Sequence, residues 1–145
     1  MSREDVQEKA LNLAIKNKRC GLGISMGVGK TRVAIQHLMK NYNPFIQVLV
    51  VIPKLSVKDA WEKELYKMNL FFQLDDNITY STYLSINKHN PNDYDIVYLD
   101  ECHSLLDNHE NFLGSYTGKI LGLTGTPPKR RGTEKYRMVQ KYCPI

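Results

Sequence analysis

The stretch Gly27-Val28-Gly29-Lys30-Thr31 decides how the rest of the chain is interpreted. It follows a glycine-containing strand candidate at residues 19–24 and precedes a helical pattern at residues 30–41. Glycines let backbone N–H groups approach a phosphate closely and adopt the positive φ angles of a tight turn. The helix that follows directs the partial positive charge of its N-terminus at the anion. This strand, loop and helix predict a phosphate-binding site.

The phosphate loop assigns roles to two side chains. Lys30 is expected to reach the β- and γ-phosphates of a nucleotide, and the Thr31 hydroxyl to ligate Mg²⁺. The full phosphate-loop pattern has another glycine five positions before Gly29, where this chain has Ile24. The strict pattern therefore fails, and the prediction depends on the position of the loop between a strand and a helix.

Short apolar runs alternate with helical patterns along the rest of the chain. Buried strands are predicted at residues 47–52, 95–99 and 119–124, with a shorter strand at residues 78–80. This alternation predicts an α/β fold in which a mostly parallel sheet has helices on both faces. Ligands bind at the carboxyl ends of the strands in such sheets. Polar clusters that follow different strands are therefore expected to meet in one site.

The helical patterns give local predictions. The first helix, over residues 4–17, has an apolar stripe of Val6, Ala10, Leu13 and Ala14, widened by Leu11 and Ile15. Ser56 and Asp59 resemble the start of a capping box, so another helix should begin there, after the one at residues 30–41. A final helix is predicted over residues 133–142.

The acidic sequence Asp100-Glu101-Cys102-His103 directly follows a predicted strand. Two adjacent carboxylates suit metal-assisted phosphoryl transfer, because one can hold hydrated Mg²⁺ while the next orients the attacking water. An acidic pair alone is weak evidence, since the first turn of a helix also favours Asp and Glu. Downstream of a phosphate loop in the same sheet, the pair indicates nucleotide hydrolysis.

A third polar cluster, Thr124-Gly125-Thr126, follows the last predicted strand. Its hydroxyls are placed to hydrogen-bond the acidic motif and sense its state. Alone, this sequence is typical of a plain turn. The aromatic residues, including Trp61, are expected to pack rather than stack on bases, because no interleaved array of basic and aromatic residues is present.

The distribution of charge divides the chain unevenly. The 145 residues suit one domain, with a formal net charge of +5. Residues 1–127 are electrically balanced, so all the excess positive charge lies in residues 128–145. The charge pattern therefore divides the chain into a balanced part over 1–127 and a basic segment over 128–145. The basic segment either contacts a polyanion such as nucleic acid or is a solvated helix face.

Several protein classes are disfavoured. No apolar run approaches the roughly 18–20 residues that cross a membrane, and the charged N-terminus leads to no signal-peptide core. The three cysteines have no metal-ligand spacing, which favours reduced thiols. We expect a cytoplasmic protein without a membrane partner.

Together, the three motifs resemble those of the first RecA-like lobe of superfamily 2 helicases and translocases. GVGKT is similar to motif I, DECH to the DExH form of motif II, and LTGTP at 123–127 to motif III. The chain resembles the Snf2-like branch more closely, because the phosphate loop of that branch also lacks the first glycine. Residues 50–65 are similar to motif Ia of that branch, and residues 78–83 to its next nucleic-acid-contacting motif. Ser25 departs from the acidic residue usual there.

The resemblance implies ATP and Mg²⁺ as ligands and gives each matching position a role. The implied catalytic residues are Lys30, Asp100 and Glu101, with Thr31 and Asp100 holding the metal through nucleotide and water. The implied nucleotide-binding residues are Gln7, Met26, Gly27, Val28, Gly29, Lys30, Thr31 and Arg32. The implied coupling residues are His103, Thr124 and Thr126, and the implied nucleic-acid contacts are Lys54, Ser81 and Thr82.

Several of these positions have simpler explanations. Lys54 also fits a solvated loop lysine, and Ser81 and Thr82 fit the cap of a short helix. Gln7, where the family has an adenine-reading glutamine, also fits a plain surface position on the first helix.

Motors of this superfamily bind ATP between two RecA-like lobes, and the sequence matches only the first. The resemblance thus implies a RecA-like ATP-binding lobe over 1–127 and a basic exit helix or linker over 128–145 that leads toward a second lobe. It implies that this second lobe lies in the same parent chain or is supplied in trans, and that double-stranded DNA is the track. The isolated lobe is expected to be nearly inactive. A stand-alone nucleotide- or nucleic-acid-binding regulatory module is the alternative, and a P-loop kinase or GTPase lacks matching base or acceptor motifs. The short spacing between motifs is typical of a compact viral or phage enzyme.

Overall fold

A computed structural model describes residues 2–25 and 29–145. Within these residues, five strands form one parallel sheet in the order β1-β5-β4-β2-β3. The strands are β1 (Arg19–Gly23), β2 (Val48–Ile52), β3 (Ile78–Thr82), β4 (Ile96–Asp100) and β5 (Lys119–Thr124). The predicted α/β fold is confirmed, and each predicted strand is present within one or two residues.

Helices and short 3₁₀ segments connect the strands. The helices are α1 (Arg3–Lys16), α2 (Lys30–Lys40), α3 (Val57–Lys67), α4 (Phe71–Leu74), α5 (Glu110–Leu113) and α6 (Glu134–Tyr142). No helix among the described residues is long and apolar enough to cross a membrane.

The alternation of side chains along β2 divides the core between the two faces of the sheet. Val48, Val50 and Ile52 belong to the core that α1, α2 and α3 cover, while Leu49 and Val51 belong to the core on the other face. All five residues are buried. Strands covered on both faces read as continuous apolar runs, which is why this run was recognisable in the sequence.

The apolar stripe predicted for α1 is partly wrong. Leu13 and Ile15 are 49% and 44% exposed, whereas Gln7 and Ala14 are buried. Gln7 and Ala14 are seven residues apart, which places them on the same face of the helix. A polar side chain therefore belongs to the buried face, which a count of hydrophobic residues does not reveal. Ser2 begins α1 with a capping box to Asp5.

The capping box predicted at Ser56 is wrong. Ser56 has φ −61° and ψ −22°, and its side chain makes no capping hydrogen bond. A capping residue needs extended backbone angles for its side chain to reach back to the helix. Here the chain is already helical, because Val57 N–H donates to Lys54 O at 3.0 Å.

The helix α6 packs into the same core as the sheet. Met138, Val139, Tyr142 and Cys143 are each 2% exposed or less and join the cluster that covers one sheet face. Beyond α6, Pro144 O accepts a hydrogen bond of 2.8 Å from Gly21 N–H of the edge strand β1. Part of the basic segment is therefore built into the fold.

Candidate functional site

The phosphate-loop lysine begins α2 and lies at the carboxyl edge of the sheet. Gly29 precedes it with φ +80° in the left-handed region, a conformation that glycine adopts without strain. No side chain of the described residues caps this helix terminus. Its free N–H groups are therefore available to an anion. The predicted phosphate-binding residues Met26, Gly27 and Val28 lie outside the described residues.

Lys30 bridges the acidic pair. Its Nζ lies 3.0 Å from Asp100 Oδ1 and also forms an ion pair with Glu101 Oε1. The Asp100 side chain is 3% exposed and that of Lys30 is 14% exposed. The sheet thus brings together the three residues predicted to be catalytic, although 70 positions of sequence separate Lys30 from Asp100.

Asp100 presents its two carboxylate oxygens to different surroundings. Its Oδ2 accepts a hydrogen bond of 3.0 Å from Trp61 Nε1–H. Its Oδ1 receives no hydrogen bond of good geometry from the described residues, although Lys30 Nζ is close enough to pair by charge. A buried carboxylate oxygen that already attracts one cation is suited to another, because Mg²⁺ is held by carboxylate oxygens.

Glu101 adopts a left-handed backbone conformation, with φ 53° and ψ 54°. This conformation costs a non-glycine residue on the order of 1–3 kcal/mol, and such residues are concentrated at functional sites. It ends β4 abruptly and leaves the Glu101 side chain 29% exposed beside the buried Asp100. The two carboxylates therefore differ in solvation, as a metal ligand and a water-activating base require.

His103 connects the acidic motif to the end of β5. Its Nδ1 lies 2.7 Å from Thr124 Oγ1, 3.2 Å from Thr126 Oγ1 and 3.5 Å from Glu101 Oε2. Thr124 Oγ1 also accepts the Thr126 N–H at 3.0 Å, so the Thr124 hydroxyl proton is free to be donated to His103. The hydrogen bonds anticipated between these two motifs are present.

The imidazole of His103 is held in its neutral form. Burial lowers its pKa below the ordinary value of 6.5, and the positive charges of Lys135 and Lys30 act in the same direction. The nearby negative charge of Asp100 opposes them. A neutral ring at pH 7 can accept the Thr124 hydroxyl at Nδ1.

Gln7 lies beside the phosphate loop, which excludes a plain surface position. Gln7 is 8% exposed. A Cβ atom added to Gly29 would lie 2.9 Å from Gln7 Nε2. Arg3 also lies close to Gly29, because its Nη2 would be 3.4 Å from the same added Cβ atom. Sequence reasoning missed Arg3, although its position four residues before Gln7 places both on one helix face.

Two adjoining cavities continue the site beyond the loop. One of about 330 Å³ is lined by Arg3, Glu4, Gln7, Arg32, Glu64 and Lys67. The other, of about 220 Å³, is lined by Arg3, Gly29, Lys30, Thr31, Arg32, Ala60 and Glu64. Arg32 projects between them and pairs with Glu64, Nη1 to Oε1 3.2 Å. Thr31 also lines the smaller cavity.

The predicted nucleic-acid contacts lie at the ends of two neighbouring strands. Thr82 is paired with Ile52 in the sheet, so Lys54 emerges beside it at the same edge. Lys54 is exposed and Thr82 is half-buried. Ser81 is 3% exposed and donates its hydroxyl to Thr82 O at 2.9 Å, a position that does not support direct contact with a phosphate. Neither hydroxyl caps the 3₁₀ segment that follows.

Solved structures that share this fold include an ATPase core and a helicase domain. The Sulfolobus solfataricus SWI2/SNF2 ATPase core in complex with double-stranded DNA matches 98% of this chain and 35% of its own, at 18% identity and TM-score 0.67. The Pyrococcus furiosus Hef helicase domain matches 93% of this chain and 35% of its own, at 14% identity and TM-score 0.71. T4 UvsW matches 83% of this chain and 29% of its own, at 15% identity and TM-score 0.67. The chain therefore spans about a third of these structures.

Sequence comparison gives the family. No curated protein matches the chain in a direct comparison. The family model described as type III restriction enzyme, res subunit, matches residues 1–129, which contain every motif named above. The chain thus belongs to the type III restriction enzyme res subunit family, and its sheet has the fold of the first RecA-like lobe of superfamily 2 helicases.

Proposed function

We propose that this chain is the ATP-binding lobe of a DNA helicase or translocase that couples ATP hydrolysis to movement on DNA. The meeting of Lys30 with Asp100 and Glu101 carries the proposal. A cation beside a buried and a half-exposed carboxylate, all at the end of a parallel sheet, suits phosphoryl transfer from a nucleotide. A pure binding module would have no use for Glu101.

The residues present fit a magnesium ion. Asp100 Oδ1, which is buried and paired by charge with Lys30 Nζ, would hold it through water, together with the Thr31 hydroxyl. When bound, Mg²⁺ neutralises charge that develops on the phosphate oxygens. Lys30 would exchange its carboxylate partners for the β- and γ-phosphates, and the free N–H groups of α2 would bind the same anion.

Glu101 would then orient the attacking water and accept its proton. Release from Lys30 frees this carboxylate to act as a base. The His103 ring, bonded to Thr124 and near Glu101, would sense that change and pass it to the end of β5. Gln7 and Arg3, beside the larger cavity, would bind the nucleotide away from its phosphates, and Arg32 would do so with Glu64 as its partner.

Double-stranded DNA is the proposed track. Lys54 and Thr82, at one edge of the sheet, and the exposed basic side chains before α6 would contact the phosphates of one strand. The Sulfolobus solfataricus ATPase core was solved in complex with double-stranded DNA. The type ISP restriction-modification enzyme LlaGI, which matches at 18% identity and TM-score 0.57, was solved in complex with a DNA substrate mimic. A second RecA-like lobe would close the nucleotide site from the other side.

The isolated chain should bind nucleotide and hydrolyse it slowly. An arginine supplied in trans is worth on the order of 10³–10⁵ in rate, so turnover without it should stay low. Binding of a fluorescent ATP analogue and release of phosphate, each with and without duplex DNA, measure the two properties. Glu101→Gln is the control for contaminating ATPase. Robust DNA-stimulated turnover by these 145 residues, lost in Glu101→Gln, would contradict the expected inactivity.

The basic residues before α6 should contribute to DNA binding, whereas Arg137 and Lys141 on α6 should not. Arg130 and Arg131 are exposed, whereas Arg137 and Lys141 are already paired with Asp107 and Glu110. Arg130→Ala with Arg131→Ala should lower duplex affinity roughly tenfold and reduce the salt slope by about two, as expected for two lost phosphate contacts. Fluorescence anisotropy across a salt series measures both quantities.

The double change Arg137→Ala with Lys141→Ala is the matched control, since it removes the same charge. Equal losses of duplex affinity in the two variants would show that the effect comes from net charge alone. Unchanged affinity in both would show that the basic segment is solvated and does not contact DNA.

A further inference from the structure

The indole of Trp61 contacts the acidic motif in a way that core packing alone does not require. Trp61 is 1% exposed and projects from α3 into the core beneath the sheet. A phenylalanine would fill much of the same apolar space. The Trp61 Nε1–H instead donates to Asp100 Oδ2 at 3.0 Å, and both groups are buried. A hydrogen bond to a buried carboxylate is stronger than one between neutral groups.

Two contacts fix the orientation of Asp100. The Tyr83 hydroxyl donates to the main-chain oxygen of Asp100 at 2.6 Å. The Trp61 indole holds Oδ2, which sets the rotation of the carboxylate and directs Oδ1 toward Lys30 Nζ. Without the indole, the ion pair with Lys30 would be the remaining restraint that the described residues place on the last torsion of the carboxylate, where barriers are low.

We propose that Trp61 is a positioning residue, whose indole N–H orients Asp100 so that Oδ1 faces the divalent cation of a bound nucleotide. This inference rests on the proposed function, because it assumes that Asp100 holds the metal. It adds a residue from the motif Ia helix to the metal site, whereas packing alone was expected of Trp61.

The position of α3 gives this contact a regulatory consequence. At its start, Val57 N–H and Lys58 N–H donate to the carbonyl groups of Lys54 and Leu55, each at 3.0 Å, so the loop that carries Lys54 continues into the helix. Further along, Glu64 pairs with Arg32 beside the phosphate loop. A displacement of Lys54 by nucleic acid would therefore move the helix that orients Asp100.

The test compares Trp61→Phe with the wild-type chain and with Tyr98→Phe. Tyr98 is buried with its ring 6.1 Å from that of Trp61, and its hydroxyl lies 2.7 Å from His37 Nδ1 rather than near Asp100. Burial, helped by the charge of Lys119, lowers the pKa of His37 to about 4, so this neighbour is neutral at pH 7. Tyr98→Phe thus removes a buried hydrogen bond from the same layer and leaves the carboxylate untouched.

Binding of a fluorescent ADP analogue is measured for all three proteins with Mg²⁺ and with EDTA. The gain in affinity that Mg²⁺ gives the wild type should fall about tenfold in Trp61→Phe, while the affinity in EDTA stays unchanged. Tyr98→Phe should keep the full gain. Because Trp61 is the only tryptophan, wild-type emission should also change when unlabelled ADP binds with Mg²⁺, and not when it binds in EDTA.

Each result has a defined meaning. An undiminished Mg²⁺ gain in Trp61→Phe, or an equal loss in Tyr98→Phe, would overturn the positioning role and leave the proposed function standing. Failure of the wild-type chain to bind the nucleotide under either condition would overturn both.

Discussion

Replacing Lys30 by alanine should weaken ATP binding by about 100-fold, the largest effect expected of any single side chain here. Hydrogen bonds to charged groups contribute roughly 1.5–3 kcal/mol, and Lys30 is expected to make them to two phosphates. The change also leaves Asp100 and Glu101 without their shared cation. Two unpaired carboxylates would then repel the triphosphate, which adds to the loss.

Titration of a fluorescent ATP analogue in the presence of Mg²⁺ measures this effect. Lys54→Ala is the matched control, because it removes an equal charge from an exposed loop and should leave nucleotide affinity nearly unchanged. The folded state of Lys30→Ala is checked by circular dichroism. ATP affinity within a factor of three of the wild type in folded Lys30→Ala protein would refute the assignment of the phosphate loop.

The second large effect concerns the last helix. A chain that ends at Arg131 should not fold cooperatively, because it lacks Met138, Val139, Tyr142 and Cys143, all buried against the sheet. Truncating one large buried side chain typically costs about 2–5 kcal/mol, and a domain has only about 5–15 kcal/mol in total. The predicted boundary after residue 127 would then separate sequence motifs rather than independently folding units.

Urea unfolding followed by circular dichroism measures this stability. Met138→Ala should lower the free energy of unfolding by about 2–5 kcal/mol, because the side chain is 1% exposed. Arg137→Ala, next to it on the exposed face, should have little effect, since surface ion pairs contribute little. A truncated chain that unfolds cooperatively near the wild-type midpoint would instead show that α6 is a true appendage.

The candidate site was predictable because its parts are local signals. A phosphate loop, an acidic pair and a threonine pair each follow an apolar run, and parallel strands bring such ends to one edge. The meeting of Lys30 with Asp100 and of His103 with Thr124 follows from that topology. The boundaries of β2 and β5 were recognisable for a similar reason, because both strands are buried on two faces.

The roles that sequence reasoning missed depend on side-chain direction across the core. Trp61 was expected to pack, and it does, but the target of its N–H depends on the crossing of α3 over β4. Arg3 and Gln7 lie on a helix whose buried face is partly polar, so a count of hydrophobic residues favoured the exposed Leu13 and Ile15. The failed cap at Ser56 shows that a correct sequence pattern can be overridden by backbone angles set by the preceding turn.

The strand order has a consequence for how the lobe is assembled on the ribosome. Within residues 2–25 and 29–145, the strand β1 pairs only with β5, whose residues are made about 100 positions later, and its other edge bonds to Pro144. Contacts so distant in sequence form late, because a long loop must close first. The central strands can associate during synthesis, but the strand that leads into the phosphate loop must wait for the last one. Competence to hold ATP should therefore appear only when almost the whole lobe has left the exit tunnel.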